Sequence, residues 1–150
     1  MTSTDRIEKE IVLQAPTSRV WRALTDAQEF GTWFRVKFDD VFAVGKTVKG
    51  AITVPGYEHL VMEVSVERMD AEELFSFRWH PYAIDPTVDY SHEPSTLVEF
   101  RLTETPTGTF LSLVESGFDR LPPGRRDEAF RMNDRGWASQ LENIERHVAS

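Results

Sequence analysis

The first feature that could do chemistry is a carboxylate set among apolar residues. In the segment Phe110–Phe118, Leu111, Leu113 and Glu115 share one face of an extended chain. Phe110, Ser112, Val114, Ser116 and Phe118 share the other. Neither set is cleanly polar, so alternation leaves the orientation open. If Leu111 and Leu113 face the core, Glu115 enters an apolar cavity. Desolvation there raises a carboxyl pKa, which suits a general acid or base. The same position equally allows a purely structural hydrogen bond to Trp137 or Asn133. An outward orientation leaves a solvated glutamate.

Histidines offer a second possibility. His80 and His92 flank a polar stretch, Pro81 to Pro94, that also holds Tyr82, Asp85, Asp89 and Tyr90. The spacing matches no zinc-ligand pattern, so no metal is expected. A loop of this length without secondary structure reads instead as a lid or binding loop. By alternation His80 lies on the outer face of its strand. His59 and His147 read as surface residues. No cysteine is present, which excludes disulfides, zinc–thiolate sites and thiol catalysis. No nucleophile elbow, phosphate loop or dinucleotide fingerprint is present either, and no cofactor is expected.

Apolar chemistry is better represented. The chain holds ten Phe, four Trp and three Tyr. Trp33, Phe34, Phe77, Trp79, Phe100, Phe130 and Trp137 are each either core packing or the lining of a ligand pocket, since pockets are mostly apolar with a few placed polar groups. Asn133 and Gly136 interrupt the apolar face of the last helix. A glycine inside a helix costs about 1 kcal/mol relative to alanine. Its reason is either close approach of a neighbour or room for a ligand.

These residues need elements to hold them. Ile7, Ile11 and Leu13 alternate with polar partners as a strand that Pro16 stops. Thr17 or Ser18 can cap a short helix carrying Val20, Trp21 and Leu24. A second short helix follows, with Thr25 and Gln28, or Asp26 and Glu29, as a capping box. Residues 35–118 read as strands and turns. Val48, Ile52 and Val54 mark one strand, and Leu60, Met62, Val64 and Val66 the next. Phe75, Phe77 and Trp79 then share a face, as do Val98, Phe100 and Leu102. Short connections predict an antiparallel meander. After Pro122-Pro123-Gly124, residues Phe130, Asn133, Trp137, Leu141, Ile144 and Val148 recur at helical spacing over 123–149. One long helix covering a curved sheet buries both apolar faces.

With 150 residues, one domain spanning 1–150 is expected. The 17 Lys and Arg against 25 Asp and Glu give a net charge of −8. That argues against nucleic acid and anionic lipid as partners. No stretch is long and apolar enough for membrane insertion. The N-terminal ten residues carry no apolar signal segment, so a cytoplasmic location is expected.

The pattern Val20-Trp21-Arg22-Ala23-Leu24-Thr25-Asp26, followed by Trp33-Phe34, resembles the N-terminal signature of SRPBCC (START/Bet v-like) domains. It is most similar to the branch named for the activator of heat-shock protein 90 ATPase. The aromatic strand Leu74–Trp79, the run Glu115-Ser116-Gly117-Phe118, and Gly136-Trp137 with Leu141 and Ile144 agree in order over nearly the whole chain. The resemblance implies an α+β helix-grip fold. About seven curved antiparallel strands would grip a long C-terminal helix, with two short helices between strands 1 and 2. It implies a cavity for an apolar or amphipathic ligand, and the aromatic set together with Glu115 and Asn133 is its expected lining. Members of the superfamily include carriers, cyclases and co-chaperones, so the fold alone implies no one chemistry. The expected function is binding of such a ligand. Catalysis in the same cavity with Glu115 as acid or base is the alternative. A chaperone partner with a place in stress response, as the family name suggests, is a further one. A homodimer is also open.

Overall fold

The computed structural model describes residues 5–81 and 87–149. Strand β1 (Arg6–Leu13) buries Ile7 and Leu13 and turns Glu8 outward. Helix α1 (Thr17–Thr25) buries Val20, Ala23 and Leu24 on one side. Neither Thr17 nor Ser18 caps it. Pro16 holds the capping position, and its carbonyl accepts from the Arg19 and Val20 amides. The Thr17 hydroxyl lies 3.3 Å from that of Thr109 on the last strand, a tertiary contact in place of a local cap.

Helix α2 (Ala27–Phe34) starts at Asp26, whose side chain accepts from the Gln28 and Glu29 amides. The expected box is only half formed. The Glu29 carboxylate turns to Arg19 and Arg22, each at 2.6 Å, and to His147 at 3.0 Å. This cluster ties both short helices to the end of the long one. His147, expected at the surface, is therefore mostly buried.

Six strands follow as a meander: β2 (Val36–Phe38), β3 (Thr47–Ile52), β4 (Val61–Asp70), β5 (Leu74–Trp79), β6 (Thr96–Thr105) and β7 (Gly108–Ser116). β1 then pairs with β7, so the seven-stranded antiparallel sheet runs β1-β7-β6-β5-β4-β3-β2. Strand β3 ends at Ile52, before Val54. A register shift between Val66 and Arg68 interrupts the β4–β5 pairing, an irregularity that bends a sheet.

Helix α3 (Pro123–Ala149) begins with proline at its first position, where no amide is missed. It lays Ala129, Trp137, Leu141, Ile144 and Val148 into the curve of the sheet. Facing them are the inward rows Phe75–Phe77, Val98–Phe100–Leu102 and Leu111–Leu113 of the sheet. This is an α+β helix-grip arrangement, and the expected fold class holds.

Candidate functional site

The inward row of β7 decides the orientation that alternation left open. Leu111, Leu113 and Glu115 all face the helix and are 0% exposed. Register brings the partners of Glu115 to it. Val98 on β6 opposes Glu115, and two residues earlier Thr96 opposes Trp79 on β5. Trp79 and Thr96 therefore point to the same side as Glu115. From α3, Asn133 and Trp137 are four residues apart and share a face.

Four side chains donate to this one carboxylate. Trp137 Nε1 reaches Oε1 at 2.8 Å and Trp79 Nε1 reaches Oε2 at 2.7 Å. Thr96 Oγ1 donates to Oε2 at 2.6 Å. Asn133 Nδ2 spans both oxygens at 2.9 and 3.2 Å. A carboxylate is an acceptor-only group, and donors satisfy it here. Burial pushes the Glu115 carboxyl above its ordinary value, while the bonds from Thr96, Trp137, Trp79 and Asn133 pull the other way. Thr96 had a legible signal, since it shares parity with Val98, Phe100 and Leu102.

The carboxylate fixes aromatic rings around a void. Trp79 and Trp137 have ring centroids 5.6 Å apart, and Phe34 lies 5.9 and 5.8 Å from them. These three rings, with Asn133, Gly136 and Gln140, line an inner cavity of about 110 Å³ that opens to solvent beside the exposed Gly136. A Cβ at Gly136 would meet nothing within 4 Å, so the glycine gives open space and is not there for close packing. Phe34 and Trp79 also line an outer groove of about 390 Å³. Its other walls are Ile52, Leu60, Val61, Met62 and Glu63 on one side and His80, Asp89, Tyr90 and Ser91 on the other.

Arg125, near the start of α3, fixes the far wall of the groove. It donates to the Pro81 carbonyl at 2.7 Å, pairs with Glu93 at 3.1 Å, and stands 4.8 Å over the Tyr90 ring. Both ends of the polar loop are thus held to the helix, which nothing in the local sequence indicated. His80 lines the groove rather than facing open solvent, and its Nε2 lies 3.1 Å from the Glu93 carbonyl. His92 is exposed. Tyr82 and Asp85 lie outside the described residues.

The remaining aromatic candidates line neither void. Trp33 is 5% exposed and donates to the Ala23 carbonyl at 2.8 Å. Phe77 and Phe100 are buried behind the indoles, against Trp79 and Trp137 respectively. Phe130 packs on Phe118 at 5.2 Å. Glu115 also lies behind the cavity walls. A separate polar depression of about 410 Å³ lies between the start of α1 and the β6–β7 turn, and no aromatic lines it. Among the described residues no group of three or more His, Asp or Glu is placed to hold a metal ion. No described helix is long and apolar enough to cross a membrane.

Comparison with solved structures shows the same fold. A protein from Mesorhizobium loti is 26% identical, with 96% of each chain covered and a TM-score of 0.75. The Aha1 dimer from Colwellia psychrerythraea is 16% identical over 95% of each chain, with a TM-score of 0.73. DynU16, from the dynemicin biosynthetic locus, is 19% identical with a TM-score of 0.73; the match covers 97% of this chain and 48% of that one. No curated protein matches the chain. The family described as Activator of Hsp90 ATPase homolog 1-like protein matches residues 14–149. With that match over almost its whole length, on a sheet that grips its last helix, the chain belongs to this family.

Proposed function

We propose that the inner cavity and the outer groove together bind one small amphipathic molecule. Its apolar part would sit among Phe34, Trp79 and Trp137, and its polar end would lie in the groove. The observation that carries this reading is that the two voids share the rings of Phe34 and Trp79. The groove has the volume of an ordinary ligand pocket, while the inner cavity has room for about one ring. Glu115 is then a positioning residue, holding both indoles in place through their N–H groups. A general acid or base must reach the reacting atom, and Glu115 is 0% exposed with both oxygens occupied.

Titration with the neutral fluorescent probe N-phenylnaphthylamine tests the reading. Saturable binding to one site is expected, and Gly136→Leu, which fills the cavity mouth, abolishes it. Absence of saturable binding, or binding untouched by Gly136→Leu, rules the site out.

A further inference from the structure

We infer that the ligand of this cavity is an organic cation, an ammonium group carried on an apolar body. The inference rests on the proposed binding site and names the charge it selects. Most of the hydrogen-bond donors around the inner cavity face away from it. The indole N–H groups of Trp79 and Trp137 and the amide N–H of Asn133 all end on Glu115. Because Asn133 must present its nitrogen to a carboxylate, its Oδ1 is the atom left for the cavity. Gln140 directs its nitrogen to the Phe34 carbonyl at 3.4 Å. A ligand therefore meets aromatic rings and an amide oxygen. Both attract a cation and offer nothing to an anion.

The outer groove continues the pattern. Among its described lining residues are two carboxylates, Glu63 and Asp89, and no Lys or Arg. Among the described residues Glu63 has a loose and exposed partner, Lys49 Nζ at 3.8 Å. Asp89 accepts from the Ser91 amide and lies 3.6 Å from His92. The Glu93 carbonyl can only accept, so the Nε2 of His80 carries a proton in their contact. The cation that does approach, Arg125, is turned to Pro81, Glu93 and the Tyr90 ring. An anionic ligand would meet no Lys or Arg among the described lining residues, and the two carboxylates at the rim would repel it. An ammonium would find two carboxylates at the rim and aromatic rings within.

Three probes with one apolar body separate charge from shape: phenylbutylamine, phenylbutanol and phenylvalerate. Each is titrated into the intact protein at about pH 8 and low salt, with tryptophan emission and amide NMR shifts as readouts. The amine is expected to bind about tenfold tighter than the carboxylate, with the alcohol between them. The preference should shrink as salt is added. It should also shrink in the Glu63→Gln, Asp89→Asn double variant, whose altered side chains are exposed and whose fold should persist. Equal affinities, or a carboxylate that binds tighter, overturn the cation assignment while leaving the cavity intact. If none of the three binds, the cavity reading falls and the inference with it.

Discussion

Trp137, in the middle of the closing helix, donates its indole N–H to Oε1 of Glu115 on the last strand at 2.8 Å. That bond joins the two surfaces whose apolar faces drive the fold, at a point where neither is apolar. Replacing Glu115 by alanine leaves two indole N–H groups, an amide and a hydroxyl without the carboxylate that accepts from all four. The expected loss of stability is at least about 3 kcal/mol. Glu115→Gln keeps the shape but brings an NH₂ into a ring of donors, and about 1–3 kcal/mol is expected. Denaturant unfolding of both variants checks this. A loss below about 0.5 kcal/mol in each would remove Glu115 from its positioning role.

Two glutamates should give stability opposite pH dependences. Burial lifts the Glu115 carboxyl above the ordinary value of 4.5, so the folded state holds the proton more tightly than the unfolded chain. Its contribution is full below 4.5 and is lost as pH rises through the raised folded value. For Glu29, burial also acts upward. The bonds from His147 and Arg19, the charge of Arg19 and the bond from Arg22 outweigh it and hold the carboxyl below 4.5. Its contribution is present above 4.5 and is lost as pH falls through the depressed value. Unfolding free energies measured stepwise in pH, wild type minus Glu115→Gln and wild type minus Glu29→Gln, should slope in opposite directions. Slopes of the same sign contradict one of the two environments.

Gly136 separates packing from binding. A methyl group there meets open space, and alanine is the better helix former. Gly136→Ala is expected to stabilise the protein by up to about 1 kcal/mol in thermal or denaturant melts. A destabilised alanine variant would mean that the glycine is held by close contact after all. Gly136→Leu should melt near the wild type while losing the probe.

Trp33 and Trp79 make a matched pair of indoles with different work. Trp33→Phe removes the bond to the Ala23 carbonyl and leaves a small gap, for an expected cost of about 1–3 kcal/mol. Probe affinity should stay as in the wild type, because Trp33 lines neither void. Trp79→Phe should weaken the probe, because this ring forms a wall of both. Isothermal titration of the two variants distinguishes them, and equal effects on binding would argue against this division of the aromatic set.

Periodicity and breakers carried most of the fold. Period-two rows such as Phe75, Phe77 and Trp79, proline and glycine between runs, and the helical recurrence from Phe130 to Val148 report local backbone geometry, which neighbouring residues dictate. Capping was less legible. Thr17 had the right chemistry for a cap, but Thr109, 92 residues away, took its hydroxyl, and the Glu29 carboxylate went to Arg19 and Arg22 on the preceding helix and to the distant His147.

The amino-acid sequence by itself determined that Glu115, Trp79, Asn133 and Trp137 were the residues to watch, because each sits on or beside an apolar row. Only the tertiary structure decided what they do. Strand register set Thr96 beside Trp79 and Val98 beside Glu115, and the seating of α3 brought Asn133 and Trp137 over the same carboxylate. Alternation fixes that two residues share a face but not which face is buried, and that depends on what packs against the strand. The same seating turned the indole N–H groups onto Glu115 and away from the cavity, so the carboxylate that looked reactive in the sequence is the one that shapes the walls.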